Sequence, residues 1–419
     1  MEPSNITRRQ MIGAAGAAFT IVRPEQVRGA GPERLTAGVV GFGGRGRQAV
    51  VDLLTADERV EIHTIGDLFE DTLEQNLAWL RDKERHPRIQ DRIKVTPESR
   101  FTGFDAYQKV IASGVDIVLL CTPPGWRPLH FEAAVEAGKH IFCEKPFGTD
   151  PVGVRRFMEA AKKSEAKKLT VVSGAQRRFQ REYVETVEKI QAGEIGEITA
   201  LYAYWIGTPV IQQKARDPRW SDMTWQHRNW YSFVWICGDQ IVEQHLHNID
   251  VCNWAMGTHP VKVHASGGAV WRPRQELYGN IYDHIAADFE YANGVRMSSY
   301  CRQFPRGLYT NISELVVGSK RRSNVRDLGA RGENPYVAEH RAMVASIRGD
   351  GPYINHAMAV AESTMTCIMA RESAYSGIEV TWDMIMNSQL DLMPRPDSWN
   401  YDGKVSPTPL PVPGEYKFT

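Results

Sequence analysis

In the first third of the chain, short unbroken apolar runs alternate with stretches of helical period. Ala37–Val40, Val60–Asp67 (VEIHTIGD), Val115–Leu120 (VDIVLL) and Lys139–Cys143 read as buried strands, with a weaker one expected at 92–95 and Phe101. Between them, helical patterns run from Arg47, from Leu68 to near His86, over Asp105–Ser113, and over His130–Ala137 up to Gly138. Strands that are apolar on both faces and separated by helices predict a parallel, doubly wound sheet. Residues 151–193 read as mostly helical, with a strand at Leu169–Ser173. From Ile198 the pattern changes to strict alternation (ITALYAYWI). Further strands are expected at Val261–Ala265, Ile281–Tyr291, Val295–Cys301 and Ile312–Val317, with Asn293-Gly294 as a hairpin turn. That pattern predicts a second, largely antiparallel open sheet. Helices are expected over Asp239–Trp254, 336–349 and 357–375. The chain thus reads as an α/β protein: a leader at 1–30, a Rossmann-type domain at 31–150, a substrate domain at 151–393, and a tail at 394–419. Six prolines and the absence of any period predict that the tail lies extended on a surface, its own or a partner's.

The first strand runs into Gly41-Phe42-Gly43-Gly44-Arg45-Gly46, a G-x-G-x-x-G spacing that opens a helix. The first glycine permits the tight turn, the second lets backbone approach a phosphate, and the third lets helix and strand pack closely. The second strand ends at Asp67, 21 positions after Gly46, which suits a carboxylate bonding the adenosine ribose. Its other reading is a cap for the helix that follows. No arginine follows Asp67 closely, which favours NAD; Arg45 and Arg47 keep NADP open.

Basic and acidic residues balance at 50 each, so charge supplies no argument for nucleic acid or an anionic membrane surface. Arg8-Arg9 followed by MIGAAGAAFTIV resembles a twin-arginine export signal, too short to span a bilayer. The expected location is the periplasm, with a membrane tether if the leader is retained. The six cysteines show neither C-x-x-C nor zinc-like spacing, so core packing is expected and no metal site.

The glycine loop, CTPP at 121–124, His130, AGKHIFCEKP at 137–146, GAQRRF at 174–179 and DQIVEQHLHNID at 239–250 come in one order along the chain. Together they resemble the Gfo/Idh/MocA family of sugar and cyclitol oxidoreductases over roughly 36–385. The resemblance implies a cofactor site formed by the 41–46 loop, Asp67, Thr122, Pro123, His130, Glu144 and Lys145. It also implies that Lys145 polarises a substrate hydroxyl, that GAQRRF lines the pocket, and that the second sheet makes a homodimer or homotetramer. Family members usually carry Asp-x-x-x-His where this chain has Glu243-x-x-x-His247. At i, i+4 the two would share a helix face, with Glu243 orienting His247 as the base. Arg178 and Trp230 are the further substrate candidates. Trp230 lies in a stretch, 205–235, that holds five of the 11 tryptophans, suiting a sugar-binding rim. The expected activity is NAD-dependent oxidation of a hydroxyl on a small-molecule sugar, glycoside or cyclitol. An exported enzyme would have to hold its cofactor tightly. The alternatives are an NAD-retaining glycosidase or lyase, and a non-catalytic sugar-binding protein.

Overall fold

The computed structural model describes residues 34–419 apart from 211–212 and 273–274. The twin-arginine segment lies outside the described residues. The first sheet has β1 (Leu35–Val40), β2 (Val60–Asp67), β3 (Arg100–Thr102), β4 (Ile117–Leu120), β5 (His140–Cys143) and β6 (Val171–Ser173), in the order β3-β2-β1-β4-β5-β6. Every pair in it is parallel. The order reverses between β1 and β4, so a crevice opens outside their carboxyl ends. Gly41 follows β1 there, and Thr122 lies just past β4. The 92–95 stretch contributes only an isolated bridge between Ile62 and Ile93; the edge strand is β3. Because β6 pairs with β5, the parallel sheet extends past residue 150, with helix Pro151–Ala166 as its last crossover.

The second sheet contains β7 (Ile198–Gly207), β8 (Lys262–Gly268), β9 (His284–Glu290), β10 (Arg296–Gln303), β11 (Asn311–Gly318), β12 (Arg322–Ser323) and β13 (Val380–Thr381). Its order is β12-β11-β7-β10-β9-β8-β13, and only β7–β10 is parallel. Alternation sends Leu201, Ala203, Met297, Cys301 and Phe289 inward, into one core with helices Leu246–Met256 and Ala357–Ser376. The opposite face carries Tyr202, Tyr204 and Tyr300, with successive rings stacked.

Three features position the site. The expected helix over 239–254 is two helices, Gln240–Glu243 and Leu246–Met256. Helix Pro335–Arg348 returns to the first domain, where Met343 and Val344 join a core with Leu53 and Val60. The tail runs over its own chain, with Asn280 Nδ2 donating to Thr408 O at 3.1 Å and Tyr282 Oη to Pro411 O at 2.9 Å. Among the described residues no helix is long and apolar enough to cross a membrane.

Candidate active site

A single cavity of about 720 Å³ runs from Asp67, Leu68 and Phe69 past the glycine loop to Trp205 and His247. At its first end the loop geometry follows the glycine spacing. Gly41 has φ +86°, and a Cβ there would strike the Thr122 amide 2.5 Å away. A Cβ on Gly46 would collide with the carbonyl oxygen of Gly41, so the third glycine sets the distance between strand and helix. A Cβ on Gly43 or Gly44 would meet only open space, beside the N-terminus of α1 (Gly44–Ala56). The main chain can therefore approach a pyrophosphate closely, and a dinucleotide fits. Asp67 lies at the far side; burial pushes its carboxyl up to about 6, against backbone N–H groups of Phe69, Phe42 and Leu68 that favour the anion.

Beneath the loop, Arg45 is claimed by three carboxylates. It pairs with Glu144, with Asp52 at 3.3 Å and with Glu339 at 3.4 Å. Burial works against its charge, but Glu144 and Glu339 hold the guanidinium well above its ordinary pKa. Burial, and then the charge of Glu144, push Glu339 well up. Arg47 lies 4.1 Å over the Trp79 ring. Arg45 is therefore already matched by carboxylates, and Arg47 lies against a ring.

At the other end, Lys145 Nζ lies 2.9 Å from Glu243 Oε1 and also donates to the Glu243 carbonyl. His247 Nδ1 is buried and has no hydrogen-bond partner. Its ring stacks with Trp205, centroids 5.9 Å apart. Burial, then the positive charges of Lys145, Arg177 and Arg45, hold the imidazole well below its ordinary pKa. These effects favour the neutral imidazole, and its Nδ1 is left without a partner among the described residues.

The expected residues Gly41, Gly43, Gly44, Arg45, Gly46, Asp67, Thr122, Pro123, His130, Glu144, Lys145, Trp230, Glu243 and His247 all line this cavity. Three expectations are corrected. Phe42 turns its side chain into the core, and its amide meets the Asp67 carboxylate. Arg178 faces away, in a two-pronged pair with Asp250 at 2.8 Å; Arg177 lines the cavity instead, tied to Glu314. Glu243 does not orient His247. The helix breaks at Gln244, and the Glu243 carboxylate is taken by Lys145 and Gln244 Nε2. The aromatic stretch is corrected in part: Trp225 and Trp235 pack in a small core with Trp126, while Trp205 and Trp230 reach the cavity. Missed residues include Tyr107, Trp126, Arg127 and Tyr336. Position after β4, in PPGWRP, was the available signal for Trp126 and Arg127; Tyr336 arrives from the distant helix and left none.

A domain family described as an oxidoreductase family with an NAD-binding Rossmann fold matches residues 35–173, and the GFO/IDH/MocA C-terminal domain matches 183–322. The chain is 23% identical over 233 residues to the myo-inositol 2-dehydrogenase of Thermotoga maritima, covering 56% of this chain and 58% of that protein. It is 23% identical over 237 residues to the NAD(+) scyllo-inositol 2-dehydrogenase of Bacillus subtilis, covering 55% and 63%. The chain thus spans somewhat over half the length of these two curated relatives. Among solved structures, scyllo-inositol dehydrogenase from Lactobacillus casei with NAD(H) and scyllo-inositol superposes with a TM-score of 0.63 at 18% identity, over 83% of this chain and 99% of that one. The aldose-aldose oxidoreductase of Caulobacter crescentus gives 0.61 at 15% identity, over 83% and 99%. At these identities the superpositions establish the fold. The two matched domains, in sequence and in order, make the chain a member of the Gfo/Idh/MocA oxidoreductase family.

Proposed function

We propose that the protein is an exported, NAD-dependent oxidoreductase that oxidises a hydroxyl of a sugar, glycoside or cyclitol and keeps its cofactor bound through the cycle. The observation that carries this reading is the meeting of Lys145, Glu243 and His247 in the cavity that begins at the glycine loop. NAD bound there supplies the hydride acceptor. His247, held neutral, takes the hydroxyl proton as the carbinol hydrogen leaves. The Lys145 ammonium, fixed by the Glu243 carboxylate and carbonyl, stabilises the developing alkoxide. Trp205 and Trp230 offer aromatic faces to the C–H side of a ring, and Arg177 offers donors to its hydroxyls. Inositol dehydrogenases among the relatives support a cyclitol as substrate.

Arg8-Arg9 and the apolar run after them support export to the periplasm. Export also motivates the retained cofactor, because a free NAD pool is not expected there. A homodimer or homotetramer is proposed through the outer face of the second sheet, where Tyr300 is 49% exposed; light scattering measures it. The function is tested by identifying the nucleotide released on denaturation and then offering the protein inositols, free sugars and aryl glycosides. Reduction of bound NAD by a free polyol or sugar is the expected result. Glycoside cleavage without net reduction sinks this reading and selects the glycosidase alternative.

A further inference from the structure

We infer that residues 213–230 and 399–405 form a clasp over the adenosine end of the cleft that keeps a dinucleotide in place between turnovers. The inference rests on the cofactor role proposed above. The clasp is anchored just past the carboxyl ends of β2 and β4, and past β3 on Phe104, whose ring meets His227 and Tyr401 edge-on, along the rim at which a dinucleotide enters such a sheet. From the first strip, Arg228 makes a two-pronged pair with Asp71 at 2.9 Å for each bond, and its guanidinium lies 3.9 Å over the ring of Phe69. His227 Nε2 accepts from Trp126 Nε1 at 2.9 Å, with the two rings stacked. From the second strip, the Tyr401 hydroxyl donates to Leu68 O at 2.5 Å, and Trp399 meets Trp126 edge-on, centroids 5.0 Å apart.

The two strips are bound to each other. Thr224 Oγ1 donates to Tyr401 O at 2.9 Å, the Met223 amide to Gly403 O at 3.1 Å, and Gln226 Nε2 to Val405 O at 2.5 Å. Trp399 and Val405 extend the small core of Trp126, Met223 and Trp225, so the strips pack as one body. His227, Arg228 and Trp230 from the first strip line the same cavity as Asp67 and Phe69. The tail begins well past the last family match at 322.

Release of a dinucleotide past this rim requires the Arg228–Asp71 pair, the Phe69 contact and the Tyr401 bond to open together. The clasp therefore acts on the dissociation rate, and its ionic part weakens with salt. Asp71 and Tyr401 lie on the rim, so Asp71→Asn and Tyr401→Phe change the clasp and leave the glycine loop and Lys145 intact. The measurement is exchange of bound nucleotide against isotopically labelled NAD, followed by mass spectrometry on the full chain, with melting temperature as a check on folding. Wild-type protein is expected to retain its nucleotide through gel filtration. Each single variant should exchange at least tenfold faster and the double variant faster still, and added salt should accelerate wild type more than Asp71→Asn. Folded variants that exchange at the wild-type rate overturn the clasp alone, whereas wild type that binds added NAD but loses it on gel filtration overturns the clasp and the retained cofactor and leaves the oxidoreductase reading standing. Protein that binds no nicotinamide dinucleotide overturns both the clasp and the function proposed above.

Discussion

The two ends of the cleft are built from different materials. Around Gly41–Gly46 the protein offers main-chain N–H groups and empty volume, and the arginine nearby is neutralised by carboxylates drawn from three separate segments. Around His247 it offers charged side chains held out of water, with Lys145 fixed by one carboxylate and an imidazole kept neutral by burial and positive neighbours. The first end recognises by shape and backbone dipoles, the second by placed charge. The loop should therefore be sensitive to added atoms, and the catalytic end to lost charge.

That division can be broken at several points. The largest effect is expected from His247→Ala and Lys145→Ala, each of which should lower single-turnover reduction of bound NAD by about 100-fold or more. His247→Ala should leave NADH affinity nearly unchanged, as titration of NADH fluorescence would report. Full single-turnover reduction in either variant removes the proposed roles. Next is Glu243→Gln, which strands a buried ammonium. A loss of about 3–5 kcal/mol in denaturant unfolding is expected, and a loss under about 1 kcal/mol would mean that Lys145 finds another partner.

Acid should act next. Burial depresses His130, His245, His340 and His356 to about 3 and His227 to about 4, all from 6.5. Below pH 6.5 the unfolded chain takes up protons that the fold excludes, so stability present above 6.5 is lost as pH falls towards 4. Asp67 and Asp150, raised to about 6 by burial, bind protons in the fold first and offset part of the loss. His86, His140 and His247 are depressed as well, and Asp52, Asp239, Glu339 and Glu362 are raised, so eight histidines stand against six carboxylates and leave a net destabilisation, each unopposed proton worth about 1.4 kcal/mol per pH unit. A stability profile flat from pH 7 to 5 would contradict the burial of these rings.

Smaller still is Gly46→Ala, whose Cβ must displace the Gly41 carbonyl. It should cost about 1–3 kcal/mol and weaken NADH binding about tenfold or more, each 1.4 kcal/mol being one decade. Turnover of saturated protein should change little. If Gly46→Ala lowers turnover more than affinity, the two ends are not separable.

How much of this could be read from the chain follows the same division. The glycine loop was legible because its constraints are local, with one positive φ and one helix–strand distance fixed within six residues. Lys145 and His247 were legible through the order of motifs around them. The Glu243–His247 pairing failed because helical period assumes an unbroken helix. Lys145 takes the Glu243 carbonyl that the next turn would have used, the His247 amide bonds Gln244 O, and His245 is drawn to Ser299 on β10. Competing tertiary partners of this kind leave no mark on spacing. Arg177 and Arg178 are neighbours in a 3₁₀ turn, and only the positions of Glu314 and Asp250 decide which faces the cavity. The tail was legible as extended and surface-bound, but its hold on the other strip depends on Met223, Thr224 and Gln226, more than 170 positions away in sequence.

The return of helix Pro335–Arg348 to the first domain has a consequence for synthesis. Met343 and Val344 fill the core that β1, β2 and α1 share, the His340 ring lies against Phe142 of β5, and Glu339 reaches Arg45. A nascent chain emerging from the ribosome presents all six parallel strands long before that helix exists. Until it arrives, the half that holds the glycine loop has an unfilled seat in its core and an arginine short of a counter-charge. The first domain therefore cannot finish folding in the order in which it is made. Its cofactor cradle matures only after most of the second domain has been translated, so a chain truncated before residue 335 yields neither domain complete.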